Sequence, residues 1–428
     1  MQMIEAAREV LRQLSLKGFQ AYFVGGFVRD RLLGRNIKDI DIATSATPAE
    51  VMSVFPKFVP TGLQHGTVTV IQDGHPFEVT TYRSEAEYTD YRRPSSVSFV
   101  QDVTEDLKRR DFTINAMAMT SDFELVDPFG GQADLRDKLL RCVGDPGERF
   151  REDALRMLRC IRFSAEYGLR VHTDTWKALR DQASLLQHIA LERVRAELER
   201  MIGGAKPSQA LRLLYESNLL HFAKKPVAIP LSRAEKLFAE ESAYSIDRMD
   251  DPLLRWAWLF VHSGVRTEQL RSLLLRLTFS KAVTKSIVER VDLIDTVDSW
   301  EDQQLTAAQL SERFKETSLR FGLETTEAIL KLAFTYEACL TGKVWEQLRI
   351  QGQSWIAEIP VWGLKDLDIK GNDLQELLPN KQAGPFIGLL LDRLLADTAA
   401  GRVPNERDTL LERARDAVEQ LVERGTQG

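Results

Sequence analysis

Strand signals in this chain stop early. Up to Phe163, short apolar runs alternate with turn residues; beyond it, apolar positions recur at helical spacing to the end. A chain ordered this way builds its sheet from the N-terminal part, and everything downstream has to bury apolar surface helix against helix. The expected fold class is α+β, an N-terminal head with a mixed β-sheet followed by all-helical segments. At 428 residues, 43% of them hydrophobic and 28% charged, there is chain for several globular domains.

Within the strand-forming part, the octet Ile37 to Thr44, IKDIDIAT, sets Asp39 and Asp41 two residues apart in an apolar run. On a strand, residues i and i+2 leave the same face. Two hard carboxylates fixed side by side suit Mg²⁺ bridging to phosphates, and a pair of such ions serves nucleotidyl transfer. Just upstream, AYFVGGFVRDRLLG (Ala21 to Gly34) reads as a strand, a Gly25-Gly26 turn and a helix beginning near Phe27. Glycines allow close backbone approach and a helix N-terminus favours anions, so a triphosphate fits there, with Arg29 adding charge. GTVTVIQDGHPFEVTTYR then reads as a hairpin turning at Asp73-Gly74, whose returning strand carries Glu78 as a third carboxylate. Singly, these are an acidic edge strand, a glycine turn and a solvent-facing glutamate. Together they place a phosphate cradle opposite a metal site.

Five blocks in order, GGFVRD (Gly25 to Asp30), DIDIAT (Asp39 to Thr44), RRDFTINAMA (Arg109 to Ala118), DPFGG (Asp127 to Gly131) and EDALRMLRCIRF (Glu152 to Phe163), cover roughly the first half of the chain. On these the sequence resembles the bacterial tRNA nucleotidyltransferase and poly(A) polymerase family, the class II branch of the polymerase-β-like nucleotidyltransferases. The resemblance implies a polymerase-β-like head, Asp39 and Asp41 as metal ligands for two Mg²⁺ ions, and Glu78 as a further catalytic residue. It places Arg110 and Asp111 near the triphosphate and ribose of the bound nucleotide, with Asn115 supporting the same pocket. The complete segment EYTDYRRP points, within the family, to addition of C, C and A to tRNA 3′ ends from CTP and ATP, without a nucleic-acid template and with release of pyrophosphate. A bacterial poly(A) polymerase, an enzyme adding only CC or only A, and an inactive tRNA-binding protein are the alternatives. The same resemblance makes RSEAEYTDYRRPSSVSFV (Arg83 to Val100) a mobile loop that helps switch specificity from CTP to ATP, with Glu87, Asp90, Arg92 and Arg93 in it.

EDALR suggests how a protein replaces a template. On one helix Asp153 and Arg156, at i and i+3, project together. Aspartate accepts from the exocyclic amine of cytosine or adenine, and arginine donates to ring nitrogen or carbonyl acceptors. Uracil and guanine present a carbonyl where the amine is needed, leaving buried groups unpaired at a cost of about 1–3 kcal/mol each. Glu152 orients Arg156 by an i,i+4 pair, and Arg159 and Arg162 extend the basic face toward the nucleotide.

The remaining signals set organisation and compartment. A net charge of −6 excludes a protein basic all over, so RNA binding depends on local patches. Cys142, Cys160 and Cys339 lack CxxC spacing and read as reduced thiols in a cytoplasmic protein. Neither a signal-peptide pattern nor a run of transmembrane length is present, which implies no membrane partner, and oligomeric state is left open. Pro226 and Pro230 in KKPVAIPLS mark a linker. The expected segments are a catalytic head at 1–145, a nucleobase-recognising neck at 146–225 that includes LERVRAELERMI, a helical body at 226–325 and a tRNA-binding tail at 326–428. Trp256 and Trp258 read as packing residues of the body.

Overall fold

The computed structural model describes residues 2–85, 97–225, 227, 229–239, 242–265, 267–375 and 385–425. The chain divides into two compact units, Met1–Ala228 with Arg276–Thr278, and Ile229–Leu275 with Phe279–Gly428.

In the first unit, α1 (Gln2–Leu16) precedes β1 (Ala21–Val24), α2 (Gly26–Leu32), β2 (Asp41–Thr44) and α3 (Pro48–Val54). Strands β3 (Phe58–Gly62), β4 (Thr67–Gln72) and β5 (His75–Thr81) follow, then the separate pair β6 (Arg83–Glu85) and β7 (Val97–Phe99). After α4 (Val103–Lys108) come β8 (Ala118–Met119), β9 (Leu125–Val126) and α5 (Gly131–Arg136). The seven-stranded sheet has the order β3-β4-β5-β2-β1-β8-β9. It is mixed, because β2 and β5 run parallel while the other neighbours are antiparallel.

Local chemistry accounts for this layout. Gln72 pairs with His75 across a two-residue turn in which Asp73 (φ 50°) and Gly74 (φ 80°) are both left-handed, the geometry an Asp-Gly hairpin favours. Helix α1 buries Ala6, Ala7, Val10, Leu11 and Leu14, a stripe at helical spacing, and packs on β1, β4 and β5. Val24 and Ala43 of the central strands join Tyr82, Val103, Leu107, Ala116, Ala118 and Val143 in one buried cluster. That cluster ties the segment 103–118 to the sheet and so fixes where Arg109 to Asn115 lie.

Helices α6 (Pro146–Glu152), α7 (Leu155–Tyr167), α8 (Thr173–Asp181), α9 (Leu191–Ile202) and α10 (Pro207–Ser217) complete this unit. Helix α9 is LERVRAELERMI itself, and it packs with α10 against α7.

The second unit is helical, with no strand among its described residues. Its helix Pro252–Ser263 starts at a cap in which Asp251 accepts from the Leu253 N–H (2.8 Å). Trp256 and Trp258 on that helix are buried, and the Trp258 indole N–H donates to the Tyr244 carbonyl (3.2 Å), a packing arrangement. Helices Pro385–Ala399 and Arg407–Gly425 enclose a separate cluster around Leu374, Leu390, Leu394, Leu410 and Ala414. Among the described residues no helix is long and apolar enough to cross a membrane.

Candidate active site

A cavity of about 400 Å³ opens in the first unit. One side is the Gly25-Gly26 turn with Arg29 and Asp41; the second is Arg109, Arg110, Asp111 and Asn115; the third is Asp153, Leu155, Arg156, Arg159 and Phe163 with Arg193.

At the sheet end, Asp41 is the first residue of β2 and pairs in register with Val24 of β1 and Glu78 of β5. Adjacent parallel partners point to the same face, so Asp41 and Glu78 stand side by side. Asp39 differs from expectation: it lies in the coil before β2 rather than on the strand. Asp39 and Glu78 are exposed and neither lines the cavity. Asp41 is exposed at the cavity edge, yet the protein packed around it, with Glu78 and Asp39, raises its carboxyl above the ordinary value against the opposing pull of Arg110. Among the described residues, no group of three or more His, Cys, Asp or Glu side chains is gathered closely enough to hold a metal ion unaided.

Gly25 has φ 65°, and a Cβ there would lie 2.8 Å from Nη1 of Arg110. Conformation and space both demand glycine. Arg110 donates to the Asn115 carbonyl (3.3 Å) and pairs with Asp106, which also accepts from Arg109 (2.8 Å) and from the Arg83 N–H (3.3 Å). Burial of Asp106, 1% exposed, works against its ionised form, yet Arg109 and Arg110 outweigh it and hold the carboxyl below its usual value. Gly25→Ala should cost about 1–3 kcal/mol of stability, because φ 65° with ψ −125° is a backbone conformation that residues with a Cβ rarely adopt. By displacing Arg110 it should lower kcat/KM for nucleotide more than about tenfold; thermal melting beside steady-state kinetics separates the two effects.

A polar chain runs along the cavity from α2 to α7. Arg29 donates twice to Asp30 (2.9 and 3.1 Å) and once to Oδ1 of Asn115 (2.6 Å). Asn115 donates to Asp111 (3.0 Å), whose other oxygen accepts from Nε and Nη2 of Arg159 (2.8 and 2.6 Å). Burial opposes ionisation of Asp111, but Arg159, the Asn115 bond and Arg156 overcome it and bring the carboxyl down to about 2. A depressed carboxylate stabilises the fold above its unfolded value and loses that contribution as pH falls through the folded one. The stability gap between the native chain and Asp111→Asn should therefore be full at neutral pH and shrink as pH drops from about 4 toward 2, as urea titrations at several pH values would show.

The EDALR segment departs from a single helix. Helix α6 ends at Glu152, Asp153 is extended (φ −138°, ψ 104°), and α7 starts at Leu155. The Asp153 carboxylate accepts from the Leu155 N–H (3.0 Å) and pairs with Arg193 of α9 (3.0 Å). Arg156 nevertheless forms the expected pair with Glu152 across the break, and it also donates to the carbonyls of Arg149 (3.1 Å) and Arg109 (2.9 Å). Arg162 does not reach the cavity, because it is taken up by Glu197 (2.6 Å) and Glu166 (3.0 Å). Glu87, Asp90, Arg92 and Arg93 lie outside the described residues. Arg193, Asp106 and Phe163 were not singled out by sequence. Asp106, at three and four residues before Arg109 and Arg110, carried a readable spacing signal, whereas Arg193 is 40 residues from Asp153.

A mixed sheet presenting Asp41 beside Glu78, next to an arginine-rich cavity, defines a nucleotidyltransferase head. Residues 21–141 match the poly A polymerase head domain family, 168–227 the probable RNA and SrmB-binding site of polymerase A, and 249–414 the putative tRNA nucleotidyltransferase domain 2. The CCA-adding enzyme of Bacillus cereus (strain G9842) is 37% identical over 420 residues, covering 96% of this chain and 98% of its own. That of Bacillus anthracis is 36% identical over 416 residues, with coverage of 96% and 98%. The crystal structure of the Bacillus stearothermophilus CCA-adding enzyme in complex with CTP matches with a TM-score of 0.81 at 33% identity, over 98% of both chains. The Thermotoga maritima CCA-adding enzyme complexed with tRNA shares the fold, with a TM-score of 0.63 at 21% identity over 96% of this chain and 94% of that one. The chain belongs to the CCA-adding enzyme family.

Proposed function

We propose that this enzyme adds C, C and A in turn to the 3′ end of tRNA, taking CTP and ATP as substrates and releasing pyrophosphate. The observation that carries the reading is the cavity itself: an arginine-lined recess runs from Asp41 of the sheet to Asp153 and Arg156, within a chain related to CCA-adding enzymes over 96% of its length.

The triphosphate lies against the Gly25-Gly26 turn, Arg29 and Arg110, where close backbone and guanidinium donors meet phosphate oxygens. Asp111, fixed by Asn115 and Arg159, holds the ribose end. Asp153 accepts from the exocyclic amine of cytosine or adenine, and its bond to Arg193 keeps the carboxylate oriented. Arg156, steered by Glu152, donates to the neighbouring ring acceptor. Uracil and guanine set a carbonyl against Asp153 and are rejected. Arg162 acts from behind this wall, by pinning α7 to α9 through Glu197.

Mg²⁺ fits the donor chemistry. Asp39 and Asp41 are hard oxygen donors, and the like charges that raise Asp41 are those a dication would neutralise. Among the described residues no third side chain is gathered, so phosphate and water oxygens would complete the coordination. When bound, they supply activation of the attacking 3′-OH and neutralisation of the phosphates. Glu78, beside Asp41, accepts or relays the proton of the 3′-OH. The tail segment 326–428 grips tRNA. Free cysteines, two of them buried, fit the cytoplasm as the working compartment.

Incubating a tRNA that lacks its CCA end with CTP alone, ATP alone and both tests the reading. CTP alone should extend it by CC, ATP alone should leave it unchanged, and both should complete CCA. Long products from ATP alone would show a poly(A) polymerase, and a stop at CC with both nucleotides would show a CC-adding enzyme. Tight tRNA binding without extension would show an inactive binding protein.

A further inference from the structure

Helix α7 carries two jobs on one face. Arg159, Phe163 and Tyr167, at i, i+4 and i+8, form a stripe that leads from the base-reading end of the cavity to α2. The Phe163 and Tyr167 rings are 5.9 Å apart and inclined by 33°. The guanidinium of Arg29 lies 4.3 Å from the Tyr167 ring centroid and 5.5 Å from that of Phe163, and Arg35 covers Tyr167 at 4.6 Å. Tyr167 itself does not line the cavity.

Arg29 is thus held from several directions. Three of its five N–H donors go to Asp30 and Asn115, which leaves two for a ligand. Its Nη2 stands beside Gly26, 3.5 Å from where a Cβ would be. In-plane bonds to Asp30 and Asn115 fix the direction of the fork but not its tilt. A ring against its face supplies the missing restraint, and cation–π attraction is strongest where water is displaced. Burial pushes the Tyr167 phenol up to about 12, so the ring stays neutral at working pH.

We infer that Tyr167 is a positioning residue for triphosphate binding: its ring, backed by Phe163, sets the tilt of Arg29 and couples the phosphate end of the cavity to the helix that reads the base. This rests on the reading of the cavity as a nucleotide site. The feature recognised is the polyphosphate, common to CTP and ATP, so the contribution is blind to the base.

The test uses the full-length enzyme with tRNA ending in C or CC. Tyr167→Leu should raise KM for CTP and for ATP alike by roughly three- to thirtyfold, the scale of one partly desolvated cation–π contact. Preference for CTP over UTP should stay unchanged, and kcat should fall less than KM rises. Tyr167→Phe keeps the ring and should stay within about twofold of the native KM, since the phenol hydroxyl donates to Glu166 (3.2 Å) and not to the Arg29 network. In an Arg29→Gln background, Tyr167→Leu should add nothing further. Tyr167→Met, which fills the space without a π face, replaces the leucine variant if that one melts early. An unchanged KM in both aliphatic variants, a Tyr167→Phe enzyme as impaired as Tyr167→Leu, or full additivity with Arg29→Gln would overturn the assignment. Failure of the native enzyme to bind CTP in a direct titration would instead overturn the nucleotide reading.

Discussion

Asp41→Ala should cut the rate of nucleotide addition by roughly a thousandfold or more while leaving tRNA affinity within about twofold. Asp41 occupies a position where the sheet brings two carboxylates into register, opposite Glu78, with Asp39 just upstream and Arg110 facing it. Surrounding protein, Glu78 and Asp39 all push this carboxyl toward protonation. A group held so against its neighbours loses little stability when replaced, so the variant should melt at or slightly above the native temperature. In the metal-free enzyme the raised carboxyl gains its proton at a higher pH than an ordinary aspartate, so Mg²⁺ affinity should fall on the acid side before the fold does. Asp39→Ala should follow the same direction with a smaller loss, since Asp39 sits in coil outside the cavity that Asp41 lines. Single-turnover extension in Mg²⁺, with tRNA binding measured in parallel, decides the matter. Turnover that survives replacement of both aspartates would remove them from the chemistry.

What was legible in the sequence is what local chemistry decides. Asp73-Gly74 announces its hairpin because both positions must be left-handed. LERVRAELERMI announces helix α9 because its apolar spacing is helical. The Glu152 and Arg156 pair also depends on short-range geometry and survives a change of backbone between them. That change was not legible: EDALR contains no glycine or proline, and α6 ends because the Asp153 side chain accepts from the Leu155 N–H, competing with helix continuation. Nor does any spacing reveal that Asp153 meets Arg193, since helices α7 and α9 are brought together by packing. Arg162 shows the converse. Its place in the series Arg156, Arg159, Arg162 suggests a shared basic face, yet a buried glutamate on α9, Glu197, claims it. Long-range charge partners are fixed by tertiary packing, and a single sequence records them only as unpaired candidates.

Asp153→Ala should loosen the choice of base. On the proposed reading the carboxylate has two tasks, accepting from the amine of the correct base and setting a negative oxygen against the carbonyl of a wrong one. Its pair with Arg193 (3.0 Å) and its bond from the Leu155 N–H (3.0 Å) fix its direction, so the discriminating atom is preorganised before substrate arrives. Removing it abolishes the repulsion against the O4 of uracil and also leaves Arg193 without its partner, free to donate to that same oxygen. One unpaired buried group amounts to about 1–3 kcal/mol, or roughly five- to more than a hundredfold in selectivity. The Arg193 effect acts in the same direction, so UTP misincorporation should lie in the upper part of that range. Arg156→Ala should behave differently: CTP and ATP should bind more weakly, while Asp153 still repels a carbonyl and limits the gain in UTP. Steady-state incorporation of each of the four nucleotides by both variants gives the comparison. If Asp153→Ala kept the native preference for CTP over UTP, the bases would have to be read by other side chains, and the segment from Glu152 to Arg156 would be a support for the cavity rather than its template.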